Sequence, residues 1–201
     1  MARVKICGVN DRQGYEAAAE ADWVAFNFFP RSPRFVTPDT AADIAQTRGP
    51  KIVALFVAPT DDEVVAVIEA LNPDILQLYA EAPRVAELRA RFGLPVWRAV
   101  GVTTPADLPA DLEGADALLI EPRPPAGATR PGGNATALDW SILAGWNPGF
   151  DWLLAGGLTP QNVAHAIAAS GATAVDVSSG VESVPGRKDP VLIQAFLAAA
   201  R

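Results

Sequence analysis

Apolar runs of strand length alternate with alanine-rich amphipathic segments along nearly the whole chain, and this alternation restricts the fold more than any other feature. Eight runs read as strands: Val4–Val9, Trp23–Phe29, Lys51–Val57, Ile75–Ala80, Val96–Val102, Ala117–Pro122, Trp152–Gly157 and Ala174–Gly180. Six segments have helical spacing: Asp11–Ala21, Thr37–Thr47, Asp61–Leu71, Ala82–Phe92, Pro160–Ser170 and Asp189–Ala200. Strands that are apolar on both faces and separated by helices form parallel sheets. Eight of them predict an α/β fold, a closed (β/α)₈ TIM barrel rather than an open sheet.

Residues typical of helix boundaries support this alternation. Thr37, Thr159 and Asp189 each precede a proline, which places a capping side chain before a residue suited to the first helical turn. Gly93 and Gly171 stand where two of the helices are expected to end.

The length of 201 residues lies at the short limit for such a barrel, so we expect a single domain over residues 1–201. Residues 103–114 contain two prolines and predict a reduced fifth helix. The longest irregular stretch, Arg123–Ala137, follows strand six and therefore lies on the catalytic face of a barrel. A long loop there indicates a function, although a surface insertion is the alternative.

Composition excludes several classes of function. The net charge of −7 argues against a nucleic-acid-binding face, which would be basic. One cysteine and one histidine exclude a disulfide framework and a Cys/His zinc site. His165 falls in a predicted outer helix and is expected to be structural or solvated. No run resembles a signal peptide or a membrane span, so we expect a cytoplasmic protein with no membrane partner.

Two glycine- and serine-containing segments predict a phosphate site. Barrel enzymes often bind phosphate with the loops that follow strands seven and eight. Strand seven ends in a segment containing Gly156 and Gly157, whose lack of side chains lets backbone N–H groups approach an anion. Strand eight ends in Ser178, Ser179 and Gly180, which could expose consecutive amides. Together they predict a phosphorylated small-molecule ligand.

Few side chains at the strand ends are suited to proton transfer. Cys7 stands at the end of strand one, where its thiol could act as a base or nucleophile, or could pack as a small apolar group. As a base it would need either a positive partner, for which Lys5 and Arg98 are candidates, or nearby backbone amides. Glu121 ends an otherwise apolar strand six and is either catalytic or paired with Arg98 or Arg123.

Two further residues could bind a substrate. Arg34, in the loop after strand two, could hold a carboxylate through two hydrogen bonds, or could be a surface arginine. Asp176, on strand eight, could hold a hydroxyl or amine, or could form an ion pair at the barrel rim. A thiolate base opposite a carboxylic acid suits an isomerisation in which one proton is removed and another delivered.

The chain resembles the phosphoribosylanthranilate isomerases of tryptophan biosynthesis nearly from end to end. The matching segments are Val4–Gly8, Phe29–Val36, Leu76–Leu78, Leu153–Val163, Val175–Glu182 and Gly186–Asp189. The resemblance implies an Amadori rearrangement of a phosphoribosyl amine, without cofactor or metal.

The resemblance also implies roles for particular residues. Cys7 would be the general base that takes the C2′ proton, and the acid at the end of strand six would be Glu121. Arg34 would hold the anthranilate carboxylate and Asp176 would contact its amine. The phosphate would be bound by the loops predicted above, at Gly156, Gly157, Ser178, Ser179 and Gly180.

The chain departs from the family pattern at three places. The family usually has aspartate where this chain has Glu121, and His-Gly where this chain has Tyr79-Ala80. The glycine-rich segment 131–136 is also altered. These differences leave two alternatives open: another sugar-phosphate reaction on the same scaffold, or a silent barrel that binds a phosphorylated metabolite or a partner subunit. Either a homodimer or a monomer is compatible with the sequence.

Overall fold

Eight parallel strands close into a barrel in the computed structural model, which describes residues 1–46, 49–125, 127, 132 and 138–201. The strands are β1 (Arg3–Cys7), β2 (Trp23–Asn27), β3 (Lys51–Val57), β4 (Ile75–Tyr79), β5 (Val96–Val102), β6 (Ala117–Pro122), β7 (Trp152–Leu154) and β8 (Ala174–Val177). Each strand pairs with the next in chain order, and β8 closes the barrel on β1. The predicted (β/α)₈ barrel is confirmed.

Six α-helices surround the described part of the barrel. They are α1 (Arg12–Ala17), α2 (Pro38–Ile44), α3 (Asp61–Leu71), α4 (Ala82–Phe92), α5 (Val163–Ser170) and α6 (Pro190–Ala200). Between β5 and β6 only the 3₁₀ turn Pro105–Asp107 is formed, as the two prolines predicted, and Trp140–Leu143 forms another before β7. The predicted end of the second helix, Thr47, lies outside the described residues. No helix in the described ranges is long and apolar enough to cross a membrane.

Two of the three predicted helix caps are confirmed. The Thr37 side chain accepts a hydrogen bond from the Thr40 amide, and Asp189 caps α6. Thr159 was predicted wrongly, because α5 begins only at Val163. The Asn162 side chain instead accepts a hydrogen bond from the Thr159 amide at 2.7 Å and donates one to the Gly157 carbonyl. These two hydrogen bonds hold the loop after β7 in a turn. Gly93 and Gly171 end their helices with positive φ, as predicted.

Strand alternation divides the buried residues into two cores. One set of side chains lies between the strands and the helices, and the other fills the barrel interior. The interior set includes Cys7, Leu55, Trp97, Leu119 and Ala155. At the carboxyl ends of the strands this interior gives way to polar side chains, which places the chemistry of the chain at that end of the barrel.

The last two barrel strands are shorter than the sequence predicted. β7 stops at Leu154 because Gly156 and Gly157 adopt φ values of +93° and +63°. β8 stops at Val177 and is followed by the 3₁₀ turn Ser179–Val181. An antiparallel hairpin of β9 (Glu182–Val184) and β10 (Arg187–Lys188) then leads into α6. Both shortened strands therefore end in irregular backbone at the same rim.

Candidate active site

A cavity that is open to solvent lies at the carboxyl ends of the strands. Its lining combines a thiol, two arginines, two carboxyl groups, a phenol and the backbone of the β7 and β8 loops. The residues that carry the chemistry are Cys7, Arg34, Tyr79, Glu121, Gly156, Gly157, Asp176, Ser178 and Ser179. The structure thus brings together eight of the nine residues that the sequence predicted for the site.

Cys7 lies beside a buried ion pair. Lys5, two residues earlier on β1, is fully buried and donates to Asp176 Oδ1 at 2.6 Å. The charge of Lys5 also interacts with Cys7. Burial disfavours the charged lysine, but Asp176 and Cys7 outweigh this cost and raise the pKa of Lys5. Lys5 therefore remains a cation next to the thiol, and of the two cations predicted as partners of Cys7 it is the one that lies beside it.

The thiol of Cys7 is in its neutral form at neutral pH. Burial raises the pKa of Cys7, since a thiolate loses hydration there, while the charge on Lys5 opposes this effect. The other predicted partner, Arg98, points elsewhere: its Nε donates to the Ala80 carbonyl at 3.0 Å, and its Nη1 pairs with Glu113.

Glu121 is buried and protonated at neutral pH. Burial raises the pKa of its carboxyl group to about 8, although a hydrogen bond with Tyr79 favours the ionised form. The predicted alternative of an ion pair with an arginine is wrong, because Arg98 pairs with Glu113 and Arg123 with Asp107. A buried carboxylic acid that carries a proton at pH 7 is suited to general acid catalysis.

Arg34 is part of a buried charge cluster rather than a surface arginine. Its Nε and Nη2 donate to the two carboxylate oxygens of Glu182 at 2.6 and 2.9 Å. Lys188 donates to the same carboxylate at 2.7 Å, and these contacts hold the pKa of Glu182 below its usual range despite burial. The stem of Arg34 packs on Gly8, where a Cβ would overlap it. Glu182 therefore fixes the guanidinium at the cavity edge.

The β7 and β8 loops approach each other closely at the rim. A Cβ on Gly156 would collide with the ring of Pro122, so the positive-φ turn after β7 requires glycine. Gly180 does not line the cavity; a Cβ on Gly180 would overlap the carbonyl of Leu158, so the two loops approach each other closely there. Lys188 binds the carbonyl and hydroxyl oxygens of Ser178 at 3.0 and 3.3 Å and so anchors the β8 loop.

Other predicted features take no part in this arrangement. His165 lies exposed on α5 with its ring edge-on to Trp140, in keeping with the expected structural or solvated position. Within the described residues, no group of three or more His, Cys, Asp or Glu is arranged to hold a metal ion. Of the loop 123–137, residues 126, 128–131 and 133–137 lie outside the described residues, including most of the altered glycine-rich segment.

Sequence reasoning missed Glu182 and Lys188 as members of the site. Both lie on the short hairpin that follows the β8 loop, where the sequence predicts phosphate binding, and both side chains are buried. The signal was present, since an acidic and a basic residue close to a short turn can pair across it. Their roles depend on Arg34, however, which is distant in the sequence and could not be placed beside them.

Comparison with known proteins identifies the family. Residues 4–199 match the family model described as N-(5′-phosphoribosyl)anthranilate (PRA) isomerase. The N-(5′-phosphoribosyl)anthranilate isomerase of Acidiphilium cryptum is 57% identical over 100% of this chain and 98% of its own length. The crystal structure of TrpF from Jonesia denitrificans is similar with a TM-score of 0.84, at 35% identity over 100% of this chain and 97% of that one.

A second solved structure contains a ligand. It is a phosphoribosyl anthranilate isomerase in complex with reduced 1-(o-carboxyphenylamino)-1-deoxyribulose 5-phosphate, similar to this chain with a TM-score of 0.81. The two chains are 30% identical, and the match covers 100% of this chain and 98% of the other. The resemblance seen in the sequence is thereby confirmed over its full extent, and the chain belongs to the N-(5′-phosphoribosyl)anthranilate isomerase family.

Proposed function

We propose that this chain converts N-(5′-phosphoribosyl)anthranilate to 1-(2-carboxyphenylamino)-1-deoxyribulose 5-phosphate in tryptophan biosynthesis, with Cys7 as general base and Glu121 as general acid. One observation carries the assignment of roles: the thiol of Cys7 and the protonated carboxyl of Glu121 line the same cavity as the two predicted phosphate loops. The isomerisation requires one proton to be delivered and another removed, which these two groups can do without a cofactor.

Glu121 acts in the first half of the reaction. It donates its proton to the ring oxygen of the phosphoribosyl group, the C1′–O bond breaks, and the nitrogen lone pair forms an iminium at C1′. Because burial keeps Glu121 protonated up to a pH of about 8, the proton is available under neutral conditions. Proton transfer from a positioned acid contributes about 10²- to 10⁴-fold to the rate of such a step.

Cys7 acts in the second half. The thiol first releases its proton to solvent. The iminium acidifies the C2′ hydrogen and the thiolate removes it, and the resulting enolamine becomes the ketose by gaining a proton at C1′ and losing its C2′ hydroxyl proton. Lys5 supports the thiolate, since its buried ammonium group stabilises the negative charge on sulfur. The overall reaction is an isomerisation, so no oxidant or reductant is required.

The remaining side chains bind the substrate. Arg34 is proposed to hold the anthranilate carboxylate, because Glu182 occupies only its Nε and Nη2 edge. Asp176, whose Oδ1 is held by Lys5, is proposed to contact the anthranilate amine. The amides of the loops containing Gly156, Gly157, Ser178, Ser179 and Gly180 are proposed to bind the phosphate. The glycines leave their backbone accessible to an anion.

Every group in this proposal comes from residues 1–201 of one chain, which we propose act as a single domain. The mechanism is therefore the same in a monomer and in a homodimer. The substrate is a small metabolite, and neither nucleic acid nor a membrane has a part in the proposal. A biosynthetic reaction of this kind is consistent with the expected cytoplasmic location.

A changed substrate is the second candidate, favoured only by the pairing of Glu121 with Tyr79 in place of the residues usual in the family. Turnover of freshly generated phosphoribosylanthranilate, followed by its fluorescence, separates the two candidates. We expect turnover by the wild-type protein and its loss in Glu121→Gln, with the reduced product analogue still bound. Near-normal turnover in Glu121→Gln would refute the acid assignment. Absence of turnover in a folded wild-type protein would favour the changed substrate.

A further inference from the structure

Tyr79 reaches Glu121 across one intervening strand. Tyr79 ends β4 and Glu121 lies near the end of β6, with β5 between them. Next to these two side chains, the residues of β5 that face the barrel interior are Ala99 and Gly101. Gly101 is the register partner of Glu121. These small residues leave the space that the tyrosine ring occupies, so the phenol hydroxyl meets the carboxyl group inside the cavity.

The two groups form a pair that is closed on one side by backbone. A Cβ built on Gly132 would overlap the Tyr79 hydroxyl and would lie 2.9 Å from each oxygen of Glu121. Gly132 therefore covers both side chains at once. Burial, and secondarily the nearby Glu121, raises the pKa of Tyr79 well above its usual range. The phenol consequently keeps its proton and acts as a hydrogen-bond donor.

A glutamate needs such a contact more than an aspartate would. It has one more rotatable bond between backbone and carboxyl group, so its oxygens can occupy more positions in an open cavity. Proton transfer tolerates little of this freedom, since a displacement of about 1 Å costs about a hundredfold in rate. The arginines that could otherwise have held Glu121 are paired with Glu113 and Asp107.

We propose that Tyr79 is a positioning residue for the general acid: its hydroxyl donates a hydrogen bond to Glu121 and holds the longer carboxyl group where an aspartate would otherwise stand. The inference rests on the proposed acid role of Glu121. The same hydrogen bond stabilises the carboxylate that remains after the proton has been delivered, because a donor favours the charged form of an acid. Tyr79 thus acts both before and after the proton transfer.

The test compares Tyr79→Phe with Tyr79→His, which retains a donor, and with Tyr15→Phe, which removes the hydroxyl of the only other tyrosine in the chain. The ionisation of Glu121 is followed directly by the infrared band of its protonated carboxyl group, in difference spectra against Glu121→Gln. Turnover of phosphoribosylanthranilate gives kcat and KM for each variant. Circular dichroism establishes that each variant is folded.

We expect Tyr79→Phe to raise the midpoint of the Glu121 titration by about one to two pH units, the worth of one hydrogen bond to a charged group. We expect kcat to fall about ten- to a hundredfold with little change in KM. In Tyr79→His, both the titration midpoint and kcat should lie closer to the wild-type values than in Tyr79→Phe. Tyr15→Phe should change neither quantity.

Three outcomes would overturn the inference. An unchanged midpoint and kcat in Tyr79→Phe, with Glu121→Gln inactive, would refute the positioning role alone. An active Glu121→Gln would refute the acid assignment and this inference with it. Should Tyr79→Phe fail to fold, a Tyr79→His protein whose Glu121 titrates as if no donor were present would refute the role of the hydrogen bond.

Discussion

Replacing Glu121 with glutamine should stabilise the protein, and increasingly so as the pH rises. Glutamate has an ordinary pKa of 4.5, whereas that of buried Glu121 is about 8. Between these pH values the folded state retains a proton that the unfolded chain has released, so the stability of the wild type falls as the pH rises. Each pKa unit corresponds to about 1.36 kcal/mol, which gives a maximum cost of about 5 kcal/mol above pH 8.

The glutamine of Glu121→Gln does not ionise, so the variant does not lose this part of the free energy of unfolding as the pH rises. Urea unfolding of both proteins at several pH values measures the effect, because other titrating groups cancel in the difference. The difference in unfolding free energy should move in favour of the variant by about 1.4 kcal/mol per pH unit between pH 5 and 7.5 and level off above pH 8. Glu69→Gln, at an exposed position on α3, is the matched control for removing one carboxyl group. A difference that does not vary with pH would refute the reasoning, since it would mean that Glu121 is already ionised at neutral pH.

Two further substitutions test the charged groups around the cavity. Lys5→Met leaves the buried Asp176 without its 2.6 Å partner and should lower the free energy of unfolding by about 3 to 5 kcal/mol. It should also slow alkylation of Cys7 by iodoacetamide, and an unchanged alkylation rate would argue against Lys5 as the partner of the thiolate. Gly8→Ala introduces a Cβ at a φ of +72° that overlaps the stem of Arg34, and should raise KM at least about tenfold through loss of carboxylate binding. An unchanged KM would show that Arg34 does not hold the substrate.

The barrel was predictable because its signals are local. Strand and helix periods, the capping residues Thr37 and Asp189, and the prolines before β6 each act within a few residues. The errors occurred where tertiary contacts compete with local preference. Thr159-Pro160 has the form of a helix start, yet Asn162 uses its side chain to hold the β7 loop and delays α5 to Val163.

Most members of the site were predictable, but Glu182 and Lys188 and the pairings between side chains were not. Chain order places the ends of β1, β6 and β8 at one rim, so Cys7, Glu121 and Asp176 could be assigned to a common face. Which cation accompanies which anion depends on distances across the barrel. Lys5 was one of two candidates for Cys7, and the partnership of Arg34 with Glu182 joins residues that are 148 positions apart.

The central claim, that Cys7 removes the C2′ proton, is tested most directly by loss of the isotope from substrate deuterated at C2′. Single turnovers of wild type and Cys7→Ala would be quenched at intervals, and the deuterium content at that carbon measured by mass spectrometry. If Cys7 is the base, cleavage of the C2′–D bond falls at least about a thousandfold in Cys7→Ala while the reduced product analogue still binds. Cleavage within about tenfold of the wild-type rate would contradict that claim and would assign the base to another group in the cavity.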